Sequence, residues 1–162
     1  MDEDIASVIS DHFWAGCRPD DPDQGRAVDG LIHSALREIP TPDAWMVVPS
    51  GASPDPKALL LIGDRLVEIW IGRNDDAEYS LQFESRPLTN SGIVVGLESY
   101  DPRVYDGKAD HKTKWSFKFS DGESIRIHGG IQTKPDVALS AEEEFARAVS
   151  ERVGQILGKA EV

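Results

Sequence analysis

The sequence predicts an α+β domain in which two N-terminal helices precede about seven antiparallel strands, and one amphipathic helix closes the chain. Apolar residues recur at helical spacing in the first quarter, alternate with polar residues in the middle, and return to helical spacing near the end. We expect one domain over residues 1–162, with residues 1–42 forming a helical hairpin packed on the sheet and residues 43–162 forming the core.

Two apolar stripes predict the N-terminal helices. The first covers residues 3–14, and the Pro- and Asp-rich residues 16–25 (GCRPDDPDQG) predict a loop, in which Asp23 can cap the next helix. The second helix ends before Pro40 and carries the stripe Val28, Leu31, Ile32, Ala35, Leu36 and Ile39.

Residues 45–48 and 58–71 predict the first strands, and the dipeptide Gly63-Asp64 predicts a two-residue hairpin turn. This turn places Leu60 opposite Val67 and Ala58 opposite Ile69 on one face. The other face is also apolar and holds Leu59, Leu61, Leu66 and Trp70. Because a half-exposed hairpin needs only one apolar face, we expect the helical hairpin to cover this second face.

Alternating patterns predict further strands, with Tyr79, Leu81 and Phe83 facing the core in one and Ile93, Val95 and Leu97 in the next. Residues 100–111 are polar and predict a loop.

The hairpin over residues 114–127 allows two registers. A two-residue turn would place Phe117 opposite Arg126, whereas a three-residue turn over residues 120–122 places it opposite Ile125. The second register keeps apolar residues on one face and requires a left-handed Gly122.

The closing helix is predicted over residues 140–157. A capping box at residues 140–143 begins it, and Gly158 is expected to end it. Its apolar stripe consists of Phe145, Ala148, Val149, Val153, Ile156 and Leu157.

Seven strands followed by an amphipathic helix resemble the pleckstrin-homology-like fold, particularly its bacterial members. The segments that carry the resemblance are ALLLIGDRLVEIWIG (residues 58–72), KWSFKFSDGESIRI (114–127) and EEEFARAVSERV (142–153). The resemblance implies two bent sheets in a partly open barrel, with Phe145 and Val149 plugging one end. Lipid-binding members carry several basic residues in the first inter-strand loop, whereas residues 49–57 supply one lysine beside Asp55.

Charge and cysteine content restrict the partners and the compartment. The net charge is −12, from 29 acidic and 17 basic residues, and this field opposes nucleic acids and anionic membranes. We therefore expect no nucleic-acid partner and no stable membrane binding. One cysteine, an acidic start and the lack of a long apolar run predict a cytoplasmic protein. The oligomeric state stays open.

The sequence predicts no catalytic residue, no metal site and no cofactor. His12 and His33 lie beside the apolar stripes and are interpreted as packing residues. Residues 20–23 lack the spacing of a calcium loop, no glycine-rich phosphate loop is present, and Cys17 has no recognisable base beside it.

One basic cluster stands out against the acidic background. In the three-residue register, one strand face carries Lys114 opposite His128 and Arg126 opposite Ser116, with Lys118 near the turn and Lys112 at the start. Such lysines can simply discourage edge-to-edge pairing. The alternative is a docking surface formed by Lys112, Lys114, Lys118, Arg126 and His128.

The leading hypothesis is a non-enzymatic protein-binding module whose partner the sequence does not identify. The alternative is a small acidic inhibitor, chaperone or immunity-type protein that neutralises a basic partner. An enzyme using Cys17 and His12 is the third hypothesis.

Overall fold

The computed structural model describes residues 1–17, 22–48, 57–73, 79–99, 111–132 and 141–160. Within these ranges, two helices, seven strands and a final helix follow in the predicted order, which confirms the α+β class. The elements are α1 (Glu3–Cys17), α2 (Pro22–Arg37), β1 (Ala44–Val48), β2 (Lys57–Ile62), β3 (Arg65–Arg73), β4 (Tyr79–Pro87), β5 (Gly92–Ser99), β6 (His111–Lys118), β7 (Ser124–Gln132) and α3 (Ala141–Ala160).

The contacts between Cα atoms group the chain into two units, Met1–Arg86 and Pro87–Val162. The first unit contains α1, α2 and a four-stranded sheet in the order β1-β2-β3-β4. The second contains a three-stranded sheet in the order β5-β6-β7, followed by α3. The described strands thus form two sheets and not one closed barrel. A single domain over residues 1–162, with a core over residues 43–162, stays a prediction.

The register of the first hairpin agrees with the sequence prediction. Leu60 pairs with Val67, and Ala58 pairs with Ile69 around the turn at Gly63, whose φ is +56°. Strand β1 pairs with the other side of β2, so that β2 lies inside the sheet. The turn dipeptide and the apolar alternation together determined this register.

The helices of the first unit cover a different sheet face from the one predicted. Their buried residues form one core with Ala58, Leu60, Ile69 and Ile71, and not with the face that holds Leu59. The prediction was wrong for a physical reason. The face that holds Leu59 also carries Glu68 and other charged residues among its apolar ones. Amphipathic helices bury more apolar area on the uninterrupted face.

The loop between α1 and α2 is shorter than predicted. Helix α1 continues to Cys17 and α2 begins at Pro22, so Cys17 lies in a last helical turn and not in the loop. Proline fits the first helical position because the N–H that it lacks would have no partner there. Asp23 consequently lies inside the first turn, where it pairs with Arg26, and does not cap the helix from outside. Residues 18–21 lie outside the described residues.

The second hairpin adopts the three-residue register. Phe117 pairs with Ile125 and Trp115 with Ile127, while Gly122 has a φ of +89°. The Phe119 amide donates to the Glu123 carbonyl (2.9 Å) and closes the loop. The aromatic residues of β6 are buried on one face of the sheet.

Helix α3 contacts β7 and buries Phe145, Val149 and Val153. It ends at Ala160, so Gly158 does not end it as predicted. Ser140, which begins the predicted capping box, lies outside the described residues. Phe83 was expected to be buried, yet its side chain is 45% exposed because β4 is the last strand of its sheet. In the described part of the chain, no helix combines the length and the apolar character needed to cross a membrane.

Candidate functional site

Three of the basic residues predicted to share a strand face, Lys114, Lys118 and Arg126, do so in the three-stranded sheet. Lys114 and Lys118 lie four residues apart on β6, about 13 Å along the strand. Arg126 on β7 pairs with Ser116, midway between them. We call the surface formed by Lys114, Lys118 and Arg126 the basic face.

The basic face is accessible to solvent, whereas the side chains on the opposite face of the sheet are buried. Lys118 and Arg126 are exposed, and Lys114 is half-buried. Trp115, Phe117 and Ile127, which alternate with these cations along the strands, are buried on the other side. The alternation of polar and apolar residues therefore directs the three cations to one side of the sheet.

Strand β5 completes the basic face, and the sequence did not reveal this. Gly92 pairs with Lys118, Val94 with Ser116 and Gly96 with Lys114, so these three residues share the face of the cations. Val94 is 49% exposed although it is apolar. The alternation of Gly92, Val94 and Gly96 with larger residues was the available signal, but no short turn joins β5 to β6 and identifies its neighbour.

Among the described residues, the cations of the basic face have no acidic partner. Within the part of the chain that the structure describes, Lys114, Lys118 and Arg126 form no ion pair. Several other basic residues of this acidic chain pair with carboxylates, as Lys57 does with Glu68 (2.8 Å). The basic face is therefore positively charged and can accept a carboxylate without first breaking an ion pair.

Lys112 and His128 are placed by backbone pairing alone, and their side chains lie outside the described residues. His128 pairs with Lys114, as the sequence predicts. Lys112 pairs with Ile131, which leaves Gly129 and Gly130 opposite the single residue Thr113. This β-bulge was not predicted, because the hairpin was predicted only over residues 114–127.

A groove of about 500 Å³ opens beside the helical hairpin and is lined by Asp11, Pro22, Gly25, Arg26 and Asp29. Beside it, the buried Ser10 Oγ donates to Asp29 Oδ1 (2.8 Å), and His33 Nε2 lies 3.6 Å from the same oxygen. A serine nucleophile needs a base that accepts its proton, and here the serine bonds to the carboxylate and not to the histidine. These contacts tie α1 to α2.

A second polar cluster lies on the four-stranded sheet. Glu68 accepts from Lys57 Nζ (2.8 Å) and lies 4.0 Å from Arg86, which pairs with Glu84 (2.6 Å). Lys57 also approaches the Trp70 ring, with Nζ 5.9 Å from its centroid. Because its charges neutralise one another, the cluster stabilises the strands and presents no unpaired charge to a ligand.

Groups of side chains suited to metal binding are absent from the described residues. His12 contacts the Phe13 ring at a centroid distance of 6.2 Å, consistent with a packing role. The side chain of Cys17 lies outside the described residues, as do residues 20 and 21 of the acidic loop. The basic face is therefore the surface that the described geometry singles out.

Comparison with known proteins identifies no relative, since no protein-family model, curated protein or solved structure matches the chain.

Proposed function

We propose that this protein is a non-enzymatic binding module whose basic face holds a carboxylate-bearing segment of a protein partner. One observation carries the proposal: Lys114, Lys118 and Arg126 share an open sheet face and form no ion pair in the described residues. The proposal includes a pleckstrin-homology-like core, which the order of seven strands and a closing helix supports. It also includes a cytoplasmic location, which the single cysteine supports.

The charges alone provide only part of an affinity. An exposed ion pair contributes about 0.2–1 kcal/mol, so three contribute about 1–3 kcal/mol. A millimolar dissociation constant already requires about 4.1 kcal/mol. The basic face therefore selects and orients an acidic partner and accelerates its association, while main-chain or apolar contacts supply the remaining affinity.

The test is an array of immobilised random peptides probed with the purified full chain. We expect peptides rich in Asp and Glu to be retained preferentially, with binding that weakens as salt rises. A variant with all three cations of the basic face changed to Glu should bind these peptides at least tenfold more weakly.

A matched variant controls for net charge. Each Lys or Arg to Glu change alters the charge by −2, so three such changes elsewhere also take the chain from −12 to −18. Suitable positions on the helices are Arg26, Arg37 and Lys159. We expect this control to lose less than threefold in affinity. Equal losses in both variants, or no preference for acidic peptides, would contradict the proposal.

The acidic-inhibitor hypothesis is a second candidate, because the exposed carboxylates of Asp11 and Asp29 line the groove beside the helical hairpin. It predicts retention of Lys- and Arg-rich peptides on the same array. Reversing the basic face would leave that binding intact or strengthen it, whereas Asp11→Lys with Asp29→Lys would abolish it.

A further inference from the structure

Strand β5 has an outer edge that the described sheet leaves open. Among the described strands, the order β5-β6-β7 gives β5 a hydrogen-bonded neighbour on one side only, so on the other side the backbone N–H and C=O groups of alternate residues have no partner strand within this set. Glu98 is the one charged residue of β5, and residues 92–97 (GIVVGL) contain no charge and no proline. Proteins normally protect an edge strand with charged residues or proline. The uncharged apolar part of this edge is therefore suited to pairing with another strand.

The glycines of β5 connect this edge to the basic face. Gly92 lies opposite Lys118 and Gly96 opposite Lys114, and neither glycine has a side chain to cover β5 beside the lysine. Neighbouring strands lie about 4.8 Å apart, so a strand added outside β5 would run about 10 Å from β6. An extended lysine and an extended glutamate together span that distance across a glycine.

We propose that a protein partner adds an extended acidic segment to the outer edge of β5 as a fourth strand. Two carboxylates four residues apart would meet Lys118 and Lys114, and an apolar residue midway between them would pack on the exposed Val94. This inference rests on the proposed function and specifies how the partner binds. Arg126 lies two strands away from the open edge and contributes only through its field.

A second copy of the chain is a poorer occupant of the same edge. Strand β5 offers a single carboxylate, Glu98, for the two lysines of a neighbouring copy, and pairing two β5 strands would place two basic faces side by side. An acidic segment instead matches both the backbone edge and the charge.

The probe is a labelled nine-residue peptide with glutamates at its third and seventh positions, valine at the fifth and threonine elsewhere. A peptide of equal composition with the glutamates three residues apart directs them to opposite faces. We expect the first to bind the full chain at least tenfold more tightly. Two N-methylated versions, each blocking one set of alternate N–H groups, test the backbone pairing, and one of them should lose binding at least tenfold.

The matched variants place the same carboxylate on either side of Lys118. Gly92→Glu sets it on β5, in the proposed path of the lysine, and Ser124→Glu sets it on β7, away from the open edge. A Cβ at position 92 has the Lys118 Cβ as its nearest neighbour at 3.9 Å, so the substitution fits. We expect Gly92→Glu to weaken binding of the spaced peptide at least tenfold and Ser124→Glu less than threefold.

The outcomes separate this inference from the proposed function. Equal effects of the two variants, with binding still lost on reversal of the basic face, would overturn edge addition while the acidic-segment function stands. A chain that sediments as a dimer and does not dissociate with the spaced peptide would assign the edge to a second copy, which also overturns the inference. No binding of any acidic peptide would overturn both proposals.

Discussion

Replacing Gly122 by valine should destabilise the protein through backbone strain alone. Its φ of +89° lies in the left-handed region, and a Cβ added there meets no atom within 4 Å. The cost is therefore not a clash but the conformational energy of a side chain at positive φ, about 1–3 kcal/mol. We expect a cost near the upper end of this range for valine, because it is β-branched. For asparagine we expect a cost near the lower end, because asparagine tolerates the left-handed region.

The assay is urea unfolding followed by both circular dichroism and tryptophan fluorescence, since coincident transitions show that one free energy describes the protein. A loss of about 2 kcal/mol with a slope of about 2 kcal/mol per molar lowers the urea midpoint by about 1 M. Gly92→Val is the matched control. It adds the same side chain to a strand glycine without positive φ, and it should leave the midpoint unchanged or slightly higher.

The series of substitutions at position 122 tests the physical cause. Strain predicts the order asparagine, alanine, valine from least to most destabilising. A valine variant whose midpoint equals that of the original protein would refute the reasoning. Asparagine and valine variants of equal stability would also refute it. A loss in the free energy of unfolding that does not depend on the φ preference of the new residue would have a cause other than backbone strain.

Four further outcomes follow from burial and charge. Leu36→Ala, at a fully buried position, should cost about 2–5 kcal/mol in urea unfolding, and Leu31→Ala, at a 40% exposed position, less than about 0.5 kcal/mol. Arg86→Met should lower the free energy of unfolding by about 2 kcal/mol, because the Arg86 side chain is only 12% exposed and pairs with two carboxylates. Arg26→Met breaks an exposed ion pair and should lower it by less than about 0.5 kcal/mol. Cys17→Ser should leave peptide binding within about twofold, and a larger loss with the fold intact would favour the enzyme hypothesis. Phosphatidylserine vesicles should not co-sediment the protein at physiological salt, because three cations contribute about 3 kcal/mol, which is weaker than millimolar binding.

Both short hairpins could be predicted from the sequence because a local turn fixed each register. Gly63 and Gly122 mark turns of known length, and a shift of one residue would have moved every apolar side chain to the wrong face. The placement of Arg126 on the same face as the lysines followed from the second of these turns. Where the connection is short and the alternation is strong, the sequence determined both the strand register and the face on which the cations lie.

The features of the fold that the sequence did not predict depend mainly on contacts between segments distant in the chain. Both faces of the β2–β3 hairpin are rich in apolar residues, and only the charges near Glu68 distinguish the face that the helices avoid. The neighbour of β5 could not be inferred because residues 100–110 separate it from β6, and so long a connection does not set a strand register. The start of α2 at Pro22 was missed because a proline was taken to break a helix, although it also begins one.

The topology also bears on why an acidic protein carries these cations. Lysines that discourage aggregation belong on an edge strand, where they oppose a second sheet. Lys114 and Lys118 lie instead on β6, the central strand, and the neighbouring edge strand β5 is uncharged over residues 92–97. The lysines are about 13 Å apart, beyond the screening length of about 8 Å at physiological salt, so their mutual repulsion costs little. Edge protection therefore does not account for this placement, whereas the docking surface that we propose beside the edge of β5 does.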